Sequence, residues 1–487
     1  MVFSSLPFLL GFMPVFFILY YLLPDDNKNP ALFLGSVIFY GVGTWGHPLY
    51  LLFLLCSMAV NIRLGQRIRS EIRRRRRILR PDECRTFAGI PKDAGRRYLY
   101  LGLLWNFGIL FFFKYMGFVG ENLNRLLPDG LAVFPTSRPE LPPGISFFTF
   151  QVVSYLIDLC RGADYEAKAS LSVGTYLCMF PQLIAGPIIT YKEVEAPLCR
   201  RRHSLPLLDR GLREFSIGLG FKVLLANRIG GLWREVNAIG YESLSTPLAW
   251  MGIAAFSFQL YFDFYGYSLM ARGLGFMLGM RFPVNFSYPY TALTMTDFWR
   301  RWHMTLGQWF RDYVYIPLGG SREGRGRTFR NLLIVWLLTG IWHGASWNYL
   351  LWGLLLFLLI ALEKLGLKKI FSQIPLLGHL YMLLAIPLTW LVFAVTDLRQ
   401  IPVYLGRLFG SPAGTGAAVF SQDYIKYGRI YGLLLIVCLV FCTPLPRRLY
   451  DRYSHSWPVS VGLLAVFWLS VFYLYIGLND PFLYSQF

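Results

Sequence analysis

The sequence is poor in charged residues, and acidic residues are the scarcer kind. Only 15% of its 487 residues are charged, with 27 acidic residues against 47 Lys and Arg, whereas 55% are hydrophobic. A soluble globular protein carries about 25% charged residues, and apolar segments near the 20 or so residues of a membrane span recur along this chain. The alternating pattern of β-barrel strands is absent. The composition therefore excludes a soluble protein and predicts an all-α polytopic membrane protein.

The shortage of acidic residues leaves a formal net charge of +20, which raises the question of nucleic-acid binding. The cations lie between the apolar segments, most densely in 63–97, and also in 192–212 and 363–369. Cytoplasmic loops have this distribution under the positive-inside rule, because they face anionic lipid. We therefore expect these three segments in the cytoplasm, where their cations would contact the lipid bilayer and not nucleic acid.

The apolar segments predict about 11–12 transmembrane helices, at about 6–23, 30–45, 48–62, 98–119, 144–160, 213–232, 248–270, 331–345, 346–362, 374–397, 429–447 and 459–478. The segment 171–190 contains Pro181, Gly186 and Pro187, which break a helix, so it is predicted to be re-entrant or broken. The segment 281–330 mixes arginine with aromatic residues and predicts interfacial helices. Because no repeat, linker or soluble domain is visible, we expect one membrane domain over 1–487.

Several catalytic motifs are absent as well. The seven cysteines form no CxxC pair, and the six histidines form no HxxxH or HExxH pattern. A metal site needs such ligand spacing, and a Ser-His-Asp triad needs an elbow of the type GxSxG, which is also missing. We therefore predict neither a metal nor a bound cofactor.

Two histidines have unusual surroundings. His343 lies between Gly340 and Gly344 in the run 331–362, which contains no Asp, Glu, Lys or Arg, and His303 lies in the basic and aromatic segment. An ionisable residue at membrane depth indicates function. With metal and triad chemistry excluded, the remaining role is a general base acting on a hydroxyl near neutral pH. Acyl transfer from a thioester fits this role, because it needs no metal.

Five motifs carry a family resemblance, namely LPPGISFFTFQVVSYLIDLCRG (141–162), FPQLIAGPI (180–188), FDFYGYSLMARGLGFMLGMRFPVNFSYPY (262–290), FWRRWHMTLGQWFRDYVYIPLGG (298–320) and GIWHGASWNYLLWG (340–353). Together they resemble the membrane-bound O-acyltransferases, in particular the bacterial branch of alginate O-acetylation. The resemblance implies a helical ring around a central tunnel, with a catalytic core at about 140–362. It also implies that His343 is the catalytic histidine of the family and His303 its second histidine. We expect His343 to act as general base or to hold the acceptor oxygen for attack, and His303 to stabilise the oxyanion or to position the donor.

The resemblance further implies the reactants and the compartment. The donor would be acetyl-CoA or another acyl thioester, and the acceptor an extracytoplasmic polysaccharide. A periplasmic or secreted SGNH-type acetyltransferase would be the partner. The protein itself would lie in a bacterial cytoplasmic (inner) membrane. D-alanyl transfer to teichoic acid, O-acetylation of peptidoglycan and a transporter or flippase without covalent chemistry remain as alternatives.

A wider set of residues is predicted to line the tunnel or contact substrate: Gln182, Pro187, Asp263, Asn285, Arg300, Arg301, Arg311 and Trp342. The three arginines either bind phosphate or phospholipid or are interface anchors, and Asp297 and Asp312 are expected to be their salt-bridge partners. The branch pattern FDFSGYSDMA is changed here at Tyr265 and Leu269, which leaves the identity of the acceptor open.

Overall fold

A computed structural model describes residues 1–78, 95–128, 131–163, 165, 170–184, 186–410 and 419–477. Every regular element in these ranges is a helix, which confirms the all-α prediction. Six of the helices are long and apolar enough to cross a membrane, and two shorter apolar helices accompany them. The protein is therefore a multi-pass membrane protein.

The chain divides into two compact units. The first comprises Met1–Leu212 and Ala271–Pro283. Its helices are α1 (Pro7–Leu22), α2 (Lys28–Gly43), α3 (Pro48–Ile78), α4 (Arg96–Asn124), α5 (Ile145–Cys160), α6 (Ser170–Cys178), α7 (Phe180–Leu183) and α8 (Tyr191–Cys199).

The second unit comprises Arg213–Met270 and Val284–Phe487. The helices from the unit boundary onward are α9 (Leu205–Gly220), α10 (Asn227–Ile239), α11 (Thr246–Met277), α12 (Met295–Arg301), α13 (Met304–Phe310), α14 (Arg325–His343), α15 (Trp347–Leu362), α16 (Pro375–Ala394), α17 (Gln400–Leu408), α18 (Asp423–Phe441), α19 (Leu445–Tyr453) and α20 (Trp457–Tyr475). A π-helical segment, Phe221–Ala226, joins α9 to α10. The prediction of a single domain over 1–487 stays a prediction.

Each predicted apolar segment overlaps one or more helices, but the helix bounds differ from the predicted bounds. The third segment, expected to end at residue 62, continues as helix to Ile78. Arginine favours helix, and Glu71 pairs with Arg75 one turn later at 3.2 Å, which stabilises this polar extension. The rest of the predicted basic loop, 79–94, lies outside the described residues.

Both irregular segments consist of short helices and non-helical stretches, and the interfacial position expected for 281–330 stays a prediction. The segment 171–190 is broken, since α6 ends at Cys178, α7 has only four residues, and 186–190 is not helical. Within 281–330 lie the short helices α12 and α13, which the sequence predicted only as interfacial helices without bounds. The second of these segments holds one of the two predicted catalytic histidines.

Candidate active site

His343 is the last residue of α14 and is buried. Its imidazole packs edge-on against Trp352 and Phe393, with ring centroids 5.1 and 5.2 Å apart. Helices α14 and α15 approach so closely here that a methyl group at Gly340 would overlap the carbonyl of Tyr349. This close approach explains the glycine beside the histidine, and the imidazole is held in an aromatic wall.

His303 lies at the break between α12 and α13, and its backbone φ of 43° is in the left-handed region, which residues other than glycine seldom adopt. Its Nδ1 lies 3.1 Å from Oδ1 of Asn285. The backbone N–H and the hydroxyl of Thr305 donate to the same oxygen, at 3.3 and 3.0 Å. Asn285 therefore connects the imidazole to the first turn of α13.

This network assigns the tautomer of His303. A backbone N–H can only donate, so the Asn285 atom that it contacts is the carbonyl oxygen. Nδ1 of His303 must then carry the proton and donate to that oxygen, which leaves the lone pair on Nε2. Among the described residues Nε2 has no hydrogen-bond partner. The ring thus presents a hydrogen-bond acceptor.

Burial keeps this ring neutral. His303 is 2% exposed and packs edge-on against Phe264 at 4.6 Å between centroids. Burial lowers the pKa of His303 to about 3, because an apolar environment disfavours the imidazolium. Asn285 is fixed on its other side by donating to Ser268 Oγ at 3.1 Å.

The indole of Trp342 lies beside both histidines. Its ring centroid is 4.9 Å from that of His343 and 6.2 Å from that of His303. The two predicted catalytic residues, 40 positions apart in sequence, therefore belong to one site in the second unit.

A cavity of about 730 Å³ reaches His303. Its walls include the indoles of Trp299, Trp302 and Trp336, and three cationic residues also line it: Arg300, Arg311 and Lys364. The cations are exposed, whereas Trp302 and His303 are buried. The cavity therefore joins a basic entrance to the buried residue His303.

The three predicted arginines have different positions. Arg300 and Arg311 line the cavity, and Arg311 pairs with Asp312 at 2.7 Å. Arg301 is absent from the lining and pairs with Asp297 at 2.7 Å. Both predicted salt-bridge partners are confirmed, and the geometry favours Arg300 and Arg311, over Arg301, as phosphate ligands.

Asp263 is not in the cavity. It forms an ion pair of 2.6 Å with Lys222, and the two side chains are 2% and 0% exposed. Asp263 directly precedes Phe264, which packs on His303. Removing one partner of such a pair destabilises strongly, because a buried charge loses its counter-ion. The geometry thus favours a structural role for Asp263 over the predicted contact with substrate.

Gln182 and Pro187 belong to the first unit. Gln182 is fully buried, and its side-chain amide donates to the Tyr176 carbonyl. Pro187 lies in the non-helical stretch after α7. Their predicted role in a tunnel wall stays a prediction, as does the central tunnel itself.

Sequence reasoning missed several residues of the site. Ser268 and Thr305 complete the Asn285 network, and nothing in their sequence context marks them. Lys222 is a charge inside a predicted span, and such a charge is itself a signal of function or pairing. Glu363, assigned to a cytoplasmic loop, is buried and accepts hydrogen bonds from the N–H and hydroxyl of Thr296 at 2.9 and 2.6 Å.

Comparison with known proteins gives the family. The family model described as MBOAT, membrane-bound O-acyltransferase, matches residues 163–387, which include both histidines. A probable alginate O-acetylase AlgI of Pseudomonas aeruginosa is 36% identical over 401 residues, covering 82% of this chain and 73% of the relative.

Two further relatives match over the full length of this chain. A probable alginate O-acetylase AlgI of Pseudomonas putida is 32% identical, covering 100% of both chains. A peptidoglycan O-acetyltransferase of Helicobacter pylori is 29% identical and covers 100% of this chain and 98% of the relative. The chain therefore belongs to the membrane-bound O-acyltransferase family and is an O-acyltransferase, as its five motifs predicted.

Proposed function

We propose that this enzyme moves an acyl group, most simply acetyl from acetyl-CoA, from the cytoplasm to a polysaccharide hydroxyl outside a bacterial inner membrane. The relatives support the acceptor class, since their names specify O-acetylation of alginate and of peptidoglycan. The identity of the donor, the identity of the partner and the location in an inner membrane are part of the proposal.

The observation that carries the proposal is the cavity, which connects exposed Arg300, Arg311 and Lys364 with buried His303. Coenzyme A carries phosphates at one end and the thioester at the other. Guanidinium groups bind phosphate through charge-assisted hydrogen bonds, and the tryptophan-lined interior suits the uncharged thioester arm. We therefore propose this cavity as the donor site.

In the proposed reaction His343 is the general base. It accepts the proton of the acceptor hydroxyl while the oxygen attacks the thioester carbonyl carbon. The C–S bond breaks as the ester forms, and the thiolate leaves and takes up the proton. Each turnover thus releases one free thiol and restores the imidazole.

His303 is proposed to position the donor. Of the two roles that the sequence left open, oxyanion stabilisation needs a donor at Nε2, whereas the Asn285 network places the lone pair there. A lone pair accepts a hydrogen bond, and the amide N–H groups of the CoA arm supply suitable donors. The tautomer therefore supports donor positioning.

A partner is proposed to complete the transfer. The described residues of this chain form helices and offer no separate sugar-binding domain. We propose that a periplasmic or secreted SGNH-type acetyltransferase receives the acyl group and delivers it to the polymer.

The test uses the protein in proteoliposomes with acetyl-CoA labelled in its acetyl group. We expect free CoA to appear, with label on alginate or on peptidoglycan fragments once a partner transferase is added. D-alanyl transfer would require a D-alanyl carrier thioester in place of acetyl-CoA. Movement of polysaccharide across the membrane with every thioester intact would contradict the proposal in favour of a transporter.

A further inference from the structure

The first unit contains a second basic cavity, which the acyl-transfer reaction does not use. It has a volume of about 780 Å³ and one acidic residue in its lining, Asp25. Five cationic side chains line it: Lys28, Arg201, Arg202, Arg210 and Arg281. Lys28 neutralises Asp25 at 2.6 Å, so the cavity as a whole favours an anion.

Two residues of the wall are held in place. Arg201 donates to the Tyr20 hydroxyl at 2.7 Å, to the Lys28 carbonyl at 3.3 Å and to the side chain of Asn29. His203 packs edge-on against Tyr20 at 5.5 Å. The guanidinium and the imidazole are therefore preorganised and do not swing freely in water.

These residues retain unused hydrogen-bonding atoms. Arg201 Nε and both ring nitrogens of His203 are buried, and none has a hydrogen-bond partner within the part of the chain that the structure describes. Buried polar groups are nearly always satisfied. A ligand with several acceptor oxygens would satisfy Arg201 Nε and the one ring nitrogen of His203 that carries a proton, together with the cations.

The surroundings are those of a membrane interface. Leu22, at the end of α1, is 77% exposed, Leu205 is 81% exposed and Tyr21 is 37% exposed. Apolar side chains in such exposed positions suit acyl chains. Basic residues and tyrosine beside them are typical of the cytoplasmic lipid boundary, where the charge distribution predicts the segment 192–212.

We propose that this cavity binds the phosphate headgroup of an anionic phospholipid from the cytoplasmic leaflet. The guanidinium groups of Arg201, Arg202 and Arg281 contact the phosphate oxygens, and the first methylenes of the acyl chains lie against Leu22 and Leu205. A soluble polyphosphate such as CoA offers the same oxygens but no chains for these leucines.

The test titrates the full-length protein in detergent with dioctanoyl phosphatidylglycerol and counts bound lipid by native mass spectrometry. We expect one saturable site, with phosphatidylcholine binding at least tenfold more weakly. The double variant Arg202→Gln/Arg281→Gln should bind phosphatidylglycerol roughly 30-fold more weakly, equivalent to about 1 kcal/mol for each cation. Both arginines are exposed, so these substitutions should leave folding intact.

The matched control is Arg67→Gln/Arg200→Gln, which removes the same charge from two exposed arginines outside the cavity. It should bind phosphatidylglycerol like the parent. Equal losses in both double variants, or equal binding of the two lipids, would overturn the proposal in favour of general attraction to a basic surface. Binding of CoA to the protein without saturable binding of phosphatidylglycerol would overturn the proposal in favour of a soluble phosphate.

Discussion

Replacing Asn285 by Asp should give the enzyme a new pH dependence. In the parent, Asn285 Oδ1 accepts the Nδ1 proton of His303 at 3.1 Å, and the ring is neutral because burial lowers its pKa to about 3. A carboxylate has nearly the same shape as the amide and still accepts from Thr305. It adds a negative charge beside the ring, which favours the imidazolium.

The size of the shift follows from the distance. Two unit charges 3.1 Å apart at an effective dielectric constant of about 20 attract by about 5 kcal/mol, or about 4 pKa units. Burying the new carboxylate opposes part of this gain. We therefore expect the pKa of His303 to rise from about 3 to between about 5 and 7 in the variant.

The sign of the effect follows from the lone pair. The protonated ring has no lone pair at Nε2, so donor binding should be present above the raised pKa and lost as pH falls through it. CoA release measured from about pH 5 to 9 should fall with acid in the parent because the general base His343 takes up a proton, and should fall more steeply in Asn285→Asp, where His303 must be unprotonated as well. The KM for acetyl-CoA should carry most of the change.

The control is Asn237→Asp, which adds the same charge at a residue whose side chain accepts from the Tyr241 hydroxyl and donates to the Trp233 carbonyl. It should keep the profile of the parent. A second readout is the side-chain ¹⁵N spectrum of His303, which should show protonated Nδ1 and unprotonated Nε2 in the parent. A protonated Nε2 there, or one shared pH profile for all three proteins, would refute the reasoning.

Three further predictions concern packing and the donor. Lys222→Ala should lower the free energy of unfolding by about 3–5 kcal/mol, because Asp263 stays buried without its cation. The double variant Lys222→Met/Asp263→Leu should recover most of the lost stability, and thermal unfolding in detergent measures the stability of both variants. Gly340→Ala should cost about 1–3 kcal/mol by overlap between helices and should lower CoA release, because it moves the end of α14. Arg300→Gln should raise the KM for acetyl-CoA roughly tenfold with little change in kcat, as loss of one charge-assisted hydrogen bond predicts.

Matched variants separate these effects from general damage. Gly326→Ala lies in the same helix as Gly340 but in open space, so its unfolding should match that of the parent. Arg301→Gln removes a cation outside the cavity and should leave the KM unchanged. If Arg300→Gln kept the KM of the parent, Arg300 would be an interface anchor and not a phosphate ligand.

Much of the fold and the two histidines could be predicted from the sequence. Apolar length identifies helices directly, because an unsatisfied backbone in lipid is too costly for other spanning structures. His343 stood out because a titratable group in an uncharged run needs a specific reason. The aromatic packing around it explains how the ring is held in place, which the pattern alone did not indicate.

The roles of individual polar residues could not be predicted, because they depend on contacts between distant segments. Asn285 was expected to line the tunnel or contact substrate, which stays a prediction, and the structure adds that it fixes the tautomer of His303 through an oxygen shared with Thr305. Asp263 was placed in the same set, but its partner Lys222 lies 41 positions away in the sequence. Only the folded geometry showed that Arg301 lies outside the cavity that Arg300 lines.

The most direct test of the central claim is the rate of CoA release by His343→Ala in proteoliposomes with acceptor and partner. The control is His379→Ala, since His379 is exposed on the apolar helix α16. Loss of a general base predicts a rate lower by about 10²–10⁴-fold for His343→Ala and an unchanged rate for His379→Ala. Release at the parental rate by a folded His343→Ala protein would contradict the assignment of this histidine to catalysis.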